Sequence, residues 1–203
     1  MQKDLTTEQK IVEAAKQVFL EKGMAGARME GIADRPGNKK ALLHYYFRSK
    51  EKLFEIIFEE AAAKFIPQLN EVFDQTDDLF LMIRHFVATY INTIGENPYI
   101  PAFVAHEINQ NPDRILEKFV KVKVDPFPLA QFFNAYQKAL KEGKIRPIAP
   151  DMLMVNLISM SIFPFIGRPM IKIILQKDEA AFAQFIERRK IEVAEFAINA
   201  IKI

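Results

Sequence analysis

The sequence predicts an all-α protein, and three observations predict it. Apolar residues recur at helical spacing in nearly every segment, strand signals are scarce, and the breaks fall at Pro, Gly and short polar residues that suit helix ends. The 203 residues suit one domain, or one domain with a small appendage, and are enough to bury a full core. Half the residues are apolar and 27% are charged, which excludes wholesale disorder. Cysteine is absent, so disulfides, thiolate metal sites and a cysteine nucleophile are excluded, in keeping with a reducing compartment.

The elements follow in order. Thr6 or Thr7 can cap a first helix to Lys22, with Ile11, Val12, Ala15, Val18 and Phe19 on one face. Gly23 stands where a left-handed residue ends a helix. A short helix over about Met29–Arg35 is stopped by Pro36-Gly37, and a third covers about Lys39–Tyr45. Ser49 can cap a long fourth helix with Leu53, Phe54, Ile57 and Phe58 inward, which Pro67 should kink or shorten. Asp77 or Asp78 starts a helix to about Gly95, and Pro98 and Pro101 head another. Asn111-Pro112-Asp113 starts one to about Lys123, and Pro126 and Pro128 open one ending at Gly143. Pro147 to Pro150 reads as a linker, Asp151 as a cap, and Pro164, Gly167 and Pro169 as a break in the helix that follows. Asp178 caps the last helix, for nine or ten in all.

The net charge of +2 hides a local imbalance. Residues 35–52 hold six basic side chains against Glu51 alone, while residues 57–203 hold 17 basic and 18 acidic groups. The basic stretch also carries the shortest helices. Two short helices joined by a Gly-containing turn, with basic and aromatic residues on the second, suit a helix-turn-helix.

The residues sharpen that reading. Ile32-Ala33, Gly37, Lys40-Ala41-Leu42-Leu43-His44-Tyr45-Tyr46-Phe47, Ser49-Lys50-Glu51 and Leu53-Phe54 resemble the N-terminal domain of TetR-family transcriptional repressors. The resemblance begins at Ile11, Ala15, Phe19 and Gly23 and covers about residues 6–56. It implies a homodimer whose two recognition helices meet successive major grooves of a palindromic operator. It also implies a small-molecule effector, bound in the C-terminal domain, that releases DNA. The implied division is a DNA-binding head over residues 1–48 and an effector-binding, dimerising domain over 49–203.

Carried over by position, Lys40, Ala41 and Leu42 should face base edges. Leu42 suits a thymine methyl, and Lys40 a guanine or a phosphate. His44 should reach base or backbone, and Tyr46 a phosphate. Lys50 should do the same with the amides of its helix, and Arg28 stands where the family places a phosphate contact. Lys39 completes the candidate DNA contacts. Tyr45 and Phe47 are expected in the core, alternating with the DNA-facing positions.

Three departures from the family pattern fall at the turn: Pro36 for the usual Ala, Asn38 for a buried Val or Ile, and Lys39 for the usual cap. A buried amide without a partner costs about 1–3 kcal/mol, though Asn38 can itself serve as the cap. Lys39 cannot accept a hydrogen bond. These departures motivate the alternative of a helical ligand-binding dimer with weakened or lost DNA reading.

Phenylalanine and methionine crowd the C-terminal part, where they serve a core and also suit an adaptable apolar pocket. Phe86, Tyr90, Phe103, His106, Phe133 and Tyr136 are candidates for its lining, for an apolar effector with one polar handle. The last helix and the one from Asp151 carry more apolar surface than one seam needs. Val155, Ile158, Phe182, Phe185, Ile186, Val193, Phe196 and Ile201 are therefore candidates for the dimer interface. His85 and His106 lack metal-ligand spacing, no nucleophile or phosphate-loop motif is present, and no metal, cofactor or enzymatic activity is implied. The polar start, Met1 to Thr7, has no signal-peptide core, and no apolar run reaches the roughly 18–20 residues of a membrane span. The nearest, Met152–Ile166, is interrupted by Asn156, two Ser and Pro164. The expectation is a soluble cytoplasmic protein with no membrane partner.

Overall fold

The computed structural model describes residues 6–35, 40–110, 113 and 129–203. Among them are ten α-helices and a single isolated antiparallel bridge, between Ile145 and Lys202. Two compact units form: Met1–Ala63 with Asn97–Lys118, called the head here, and Lys64–Glu96 with Phe119–Ile203, called the body.

In the head, α1 (Thr7–Gly26) opens with a reciprocal cap. The Gln9 amide donates to Thr6 Oγ1 at 3.3 Å, and the Thr6 amide to Gln9 Oε1 at 2.9 Å. Ile11, Val12, Ala15, Val18 and Phe19 are buried, the face their spacing predicts. Gly23 takes a φ of +64°, which lets its carbonyl accept from Ala27 while the chain turns. Next come α2 (Met29–Ala33) and α3 (Lys40–Tyr46), α2 packing on both α1 and α3. α4 (Lys50–Asp74) is capped as expected, its Lys52 amide donating to Ser49 Oγ at 3.1 Å.

Pro67 does not shorten α4, which runs seven residues beyond it. A proline removes one helical hydrogen bond, here to the carbonyl of Ala63, at roughly 3 kcal/mol. Leu69, Val72 and Phe73, all buried on the far side, contribute about 1.5–3 kcal/mol each and outweigh that loss. α6 (Ile100–Gln110) also belongs to the head and carries Pro101 in its first turn, where the missing amide had no helical partner.

In the body, α5 (Leu79–Glu96) is the central helix, packed on α7 (Leu129–Lys141), α8 (Pro150–Ile166) and α10 (Glu179–Ile201). Asp78 caps α5 through the Leu81 amide at 2.9 Å, and Asp178 caps α10 through the Ala181 amide at 2.8 Å. Gly143, at φ +67°, ends α7 as expected. The helix expected from Asn111 and the opening at Pro126 and Pro128 lie outside the described residues.

Two expectations are corrected. Asp151 is not the cap of α8: Pro150 holds the first helical position and Asp151 Oδ1 takes only the next amide, Met152, at 2.9 Å. Pro164 does not break α8, which continues to Ile166. Lacking an amide, Pro164 leaves the Met160 carbonyl without its helical donor, and Arg189 Nη2 of α10 supplies one at 2.6 Å. The break comes at Gly167, where the short α9 (Arg168–Ile174) departs at 79°. α9 buries no residue; Arg168 and Lys172 both pair with Glu179, and Arg168 sits 5.2 Å over the Phe182 ring. Among the described residues no single helix is long and apolar enough to cross a membrane; α8 and α9 reach that composition only as a bent pair.

Candidate nucleic-acid interface

α3 has a buried side and an open side. Leu43 and Phe47, four residues apart, are buried with Ile32 and Ala33 of α2 and hold the two helices together. The open side shows His44, Tyr45 and Tyr46, with Leu42 half-buried at its edge. Tyr45 is 79% exposed, which corrects the expectation of a core residue. Alternation is a strand's rule, whereas a helix turns 100° per residue and sets Tyr45 opposite the face that Leu43 and Phe47 share. The Tyr45 and Tyr46 rings meet edge to face at 5.3 Å, so the two exposed aromatics form one ridge.

Basic groups flank the ridge. Arg28 is exposed immediately before α2 and makes no cap bond of its own. Lys50, the first residue of α4, donates from Nζ to the Ala27 carbonyl at 3.3 Å, so it ties the entry of α2 to the start of α4. Arg48 is exposed as well, a residue that sequence reasoning did not single out although its position in the basic stretch marks it. Two other cations of that stretch pair with carboxylates, Arg35 with the exposed Glu21 and Lys52 with the largely covered Glu55 at 3.2 Å. An exposed pair such as Arg35 with Glu21 is weak. Pro36, Asn38 and Lys39 lie outside the described residues, as do the side chains of Lys40 and Ala41.

The candidate effector residues fall in different units. Phe86, Tyr90 and Tyr136 are buried in the body core, with Phe133 packed against it. Phe86 lies 5.6 Å from Phe73 and 5.5 Å from Tyr90, and burial pushes the Tyr90 phenol up to about 12. The Tyr136 hydroxyl donates to the Ile148 carbonyl and accepts from the Ile148 amide at 3.3 Å, latching the 145–149 segment onto α7. Phe103 and His106 fall on α6 of the head, and their side chains lie outside the described residues.

The dimer candidates divide sharply. Val155 and Phe196 are 55% and 68% exposed, and Ile158, Phe185 and Ile186 are half-buried. Phe182, Val193 and Ile201 are buried within the protomer and leave little to offer a partner. Val193 and Ile201 share the inward face of α10 with Ala194, Ala197 and Ile198, so an excess of apolar residues did not reveal which face was outward. Met152, on the apolar face expected of the helix from Asp151, is exposed, as are Phe163 and Ile166 of α8 and Ile191 of α10, which were not among the dimer candidates. Among the described residues no group of three or more His, Asp or Glu gathers as a metal ion requires.

A short exposed helix seated on α2 through Leu43 and Phe47, flanked by cations and followed by a capped α4, defines a helix-turn-helix protein of the all-α class. Residues 11–57 match the family of bacterial regulatory proteins of the tetR type. Over 59 residues the chain is 39% identical to the transcriptional repressor NicS of Pseudomonas putida, 29% of this chain and 28% of that one. Its fold resembles the ketosteroid transcriptional regulator KstR2 of Mycobacterium tuberculosis, with a TM-score of 0.70 and 14% identity over 99% of this chain and 97% of that one. It also resembles Bacillus subtilis FadR in complex with stearoyl-CoA, with a TM-score of 0.62 and 14% identity over 94% and 97%. The chain spans less than two thirds of the length of the first curated relatives it matches. Residues 11–57 are thus similar to the DNA-binding part of tetR-type regulatory proteins, and the fold of the chain resembles that of solved regulators of this type.

Proposed function

We propose that this protein is a ligand-responsive repressor that sits as a cytoplasmic homodimer on a palindromic operator and leaves it when a small apolar effector binds. One observation carries the reading: α3 offers Leu42, His44, Tyr45 and Tyr46 outward on a buried base of Leu43 and Phe47, within the segment that matches the family. Residues 1–48 would carry the DNA contacts and 49–203 the effector and dimer surfaces. Lys40, Ala41, Leu42 and His44 would read base edges, while Arg28, Lys39, Tyr46 and Lys50 would hold phosphates. Val155 and Phe196 would anchor the dimer. An apolar effector is supported by the acyl-CoA held in FadR and by the Phe-rich core of the body.

The test is DNA binding by fluorescence anisotropy, on the DNA upstream of the protein's own gene, across a salt series. Affinity should fall linearly on log–log axes, since each phosphate contact releases counterions. Lys50→Ala should weaken all sequences alike and flatten the slope by about one, whereas Leu42→Ala should alter sequence preference. Salt-independent binding, or none, would remove the DNA-binding half of the proposal.

A further inference from the structure

We propose that Tyr99 is a positioning residue of the DNA-binding head: its ring, supplied by the corner between α5 and α6, completes the head core and fixes α1 against α4. The proposal rests on the reading of the protein as a DNA-binding regulator.

The compact unit that holds α1, α2 and α3 also takes Asn97–Lys118, a segment far from them in sequence. Tyr99 is a reason for it. Its ring lies 6.1 Å from Phe19 of α1 and 6.0 Å, edge to face, from Phe54 of α4. Phe19 and Phe54 are themselves edge to face at 5.1 Å, and both are fully buried. Three rings from three segments therefore close a triangle at the joint between α1 and α4.

The polar end of Tyr99 is settled locally. Its hydroxyl donates to Asn97 Oδ1 at 3.0 Å, inside a turn closed by the Ile100 amide on the Asn97 carbonyl at 3.0 Å. The corner is thus a preformed piece that presents one aromatic ring to the head. A second clasp lies beside it, where Lys16 of α1 bridges Glu13 at 2.8 Å and Glu60 of α4 at 3.2 Å. Burial, and then the carboxylates of Glu13 and Glu60, push the Tyr99 phenol well above its ordinary value, so the ring stays neutral.

Docking on two half-sites requires each head to present α3 at a fixed angle, because successive major grooves lie about one helical turn apart. The α1–α2–α3 contacts keep α3 on its base without Tyr99. The joint to α4 loses one side of its aromatic triangle, and the angle loosens.

The experiment compares full-length wild type, Tyr99→Phe and Tyr99→Ala, with Tyr99→Leu in reserve should the alanine variant fail to fold. Hydrogen exchange is read by segment. Binding is read on the duplex that wild type selects from a random pool, and on the same duplex with one half-site scrambled. Tyr99→Phe should match wild type. Tyr99→Ala or Tyr99→Leu should speed exchange in α1 and the first half of α4 and leave α5 and α10 unchanged. It should lose about tenfold in affinity for the intact duplex, the scale of one aromatic contact, and nothing for the single half-site. Unchanged exchange in α1, exchange rising equally in α5 and α10, or equal losses on both duplexes would overturn the proposal. The exchange readings stand even if wild type selects no DNA, so a failure of the DNA-binding reading is told apart from a failure of this one.

Discussion

The tyrosines of α3 and those of the body have opposite fates. In the head, Tyr45 and Tyr46 stand out on α3 with their rings in contact; in the body, Tyr90 and Tyr136 are buried. Helix length accounts for much of this. α3 is seven residues long, and among its described side chains only Leu43 is buried, with Phe47 just beyond its end, while His44, Tyr45 and Tyr46 face outward. α5 is 18 residues long at the centre of the body, packed on three other helices, and most of its apolar residues are taken inward, Leu81 excepted. An aromatic on a short two-sided helix is thus a contact candidate, whereas the same residue on a central helix is packing first.

That contrast can be broken most forcefully at α3. Phe47→Ala should destabilise the protein by about 3–5 kcal/mol, as emptying an aromatic core site does, and Tyr45→Ala by less than about 0.5 kcal/mol. Urea denaturation checks both. Similar losses at the two positions would mean that α3 has no free face.

The body's polar contacts should matter next. Arg189→Met should cost about 1–3 kcal/mol, because the Met160 carbonyl loses the donor that replaces Pro164's missing amide. Pro164→Ala restores that amide, so the Arg189 substitution should cost much less in a Pro164→Ala background. A double-mutant cycle in denaturant reads the difference, and additive effects would refute the repair. Tyr136→Phe should cost about 0.5–1.5 kcal/mol, the worth of its bonds to Ile148, measured by the shift in Tm.

Acid titration should show the smallest effect. Hydrogen bonds from Arg84, Lys138 and Lys172 hold the Glu195, Asp77 and Glu179 carboxyls below their ordinary values. A depressed folded-state value stabilises above the unfolded pKa and is lost as pH falls through the folded one. Stability of the body should therefore be level near neutrality and begin to decline as pH drops through about 4.5, the ordinary glutamate value. These pairs sit at the surface, so added salt should blunt the decline, which melting at low and high ionic strength will show.

The sequence was most legible where the physics is local. Thr6, Ser49, Asp78 and Asp178 all cap the helices that follow them, because a cap needs only its own next three residues. It misled where the compensation lay elsewhere. Pro164 reads as a breaker until Arg189, on another helix, is brought to the Met160 carbonyl. Pro67 reads the same way until the burial of Leu69, Val72 and Phe73 is weighed against it. At the site, the local motif marked a short helix close to where α3 lies, with His44 and Tyr46 on its exposed side, and strand-like alternation misplaced Tyr45. Neither composition nor spacing could tell that Val193 and Ile201 face inward while Phe196 faces out, since that choice belongs to the packing of α10 on α5 and α8.

If a dimer reads DNA through the open face of α3, it should choose one site from many. Selection of binding sites by the wild-type protein from a random duplex pool tests it most directly. The expected result is an enriched palindrome with half-sites about one helical turn apart, and a changed half-site sequence when Leu42→Ala is used instead. A pool that stays random, or an enriched site that is indifferent to Leu42 and His44, would contradict it.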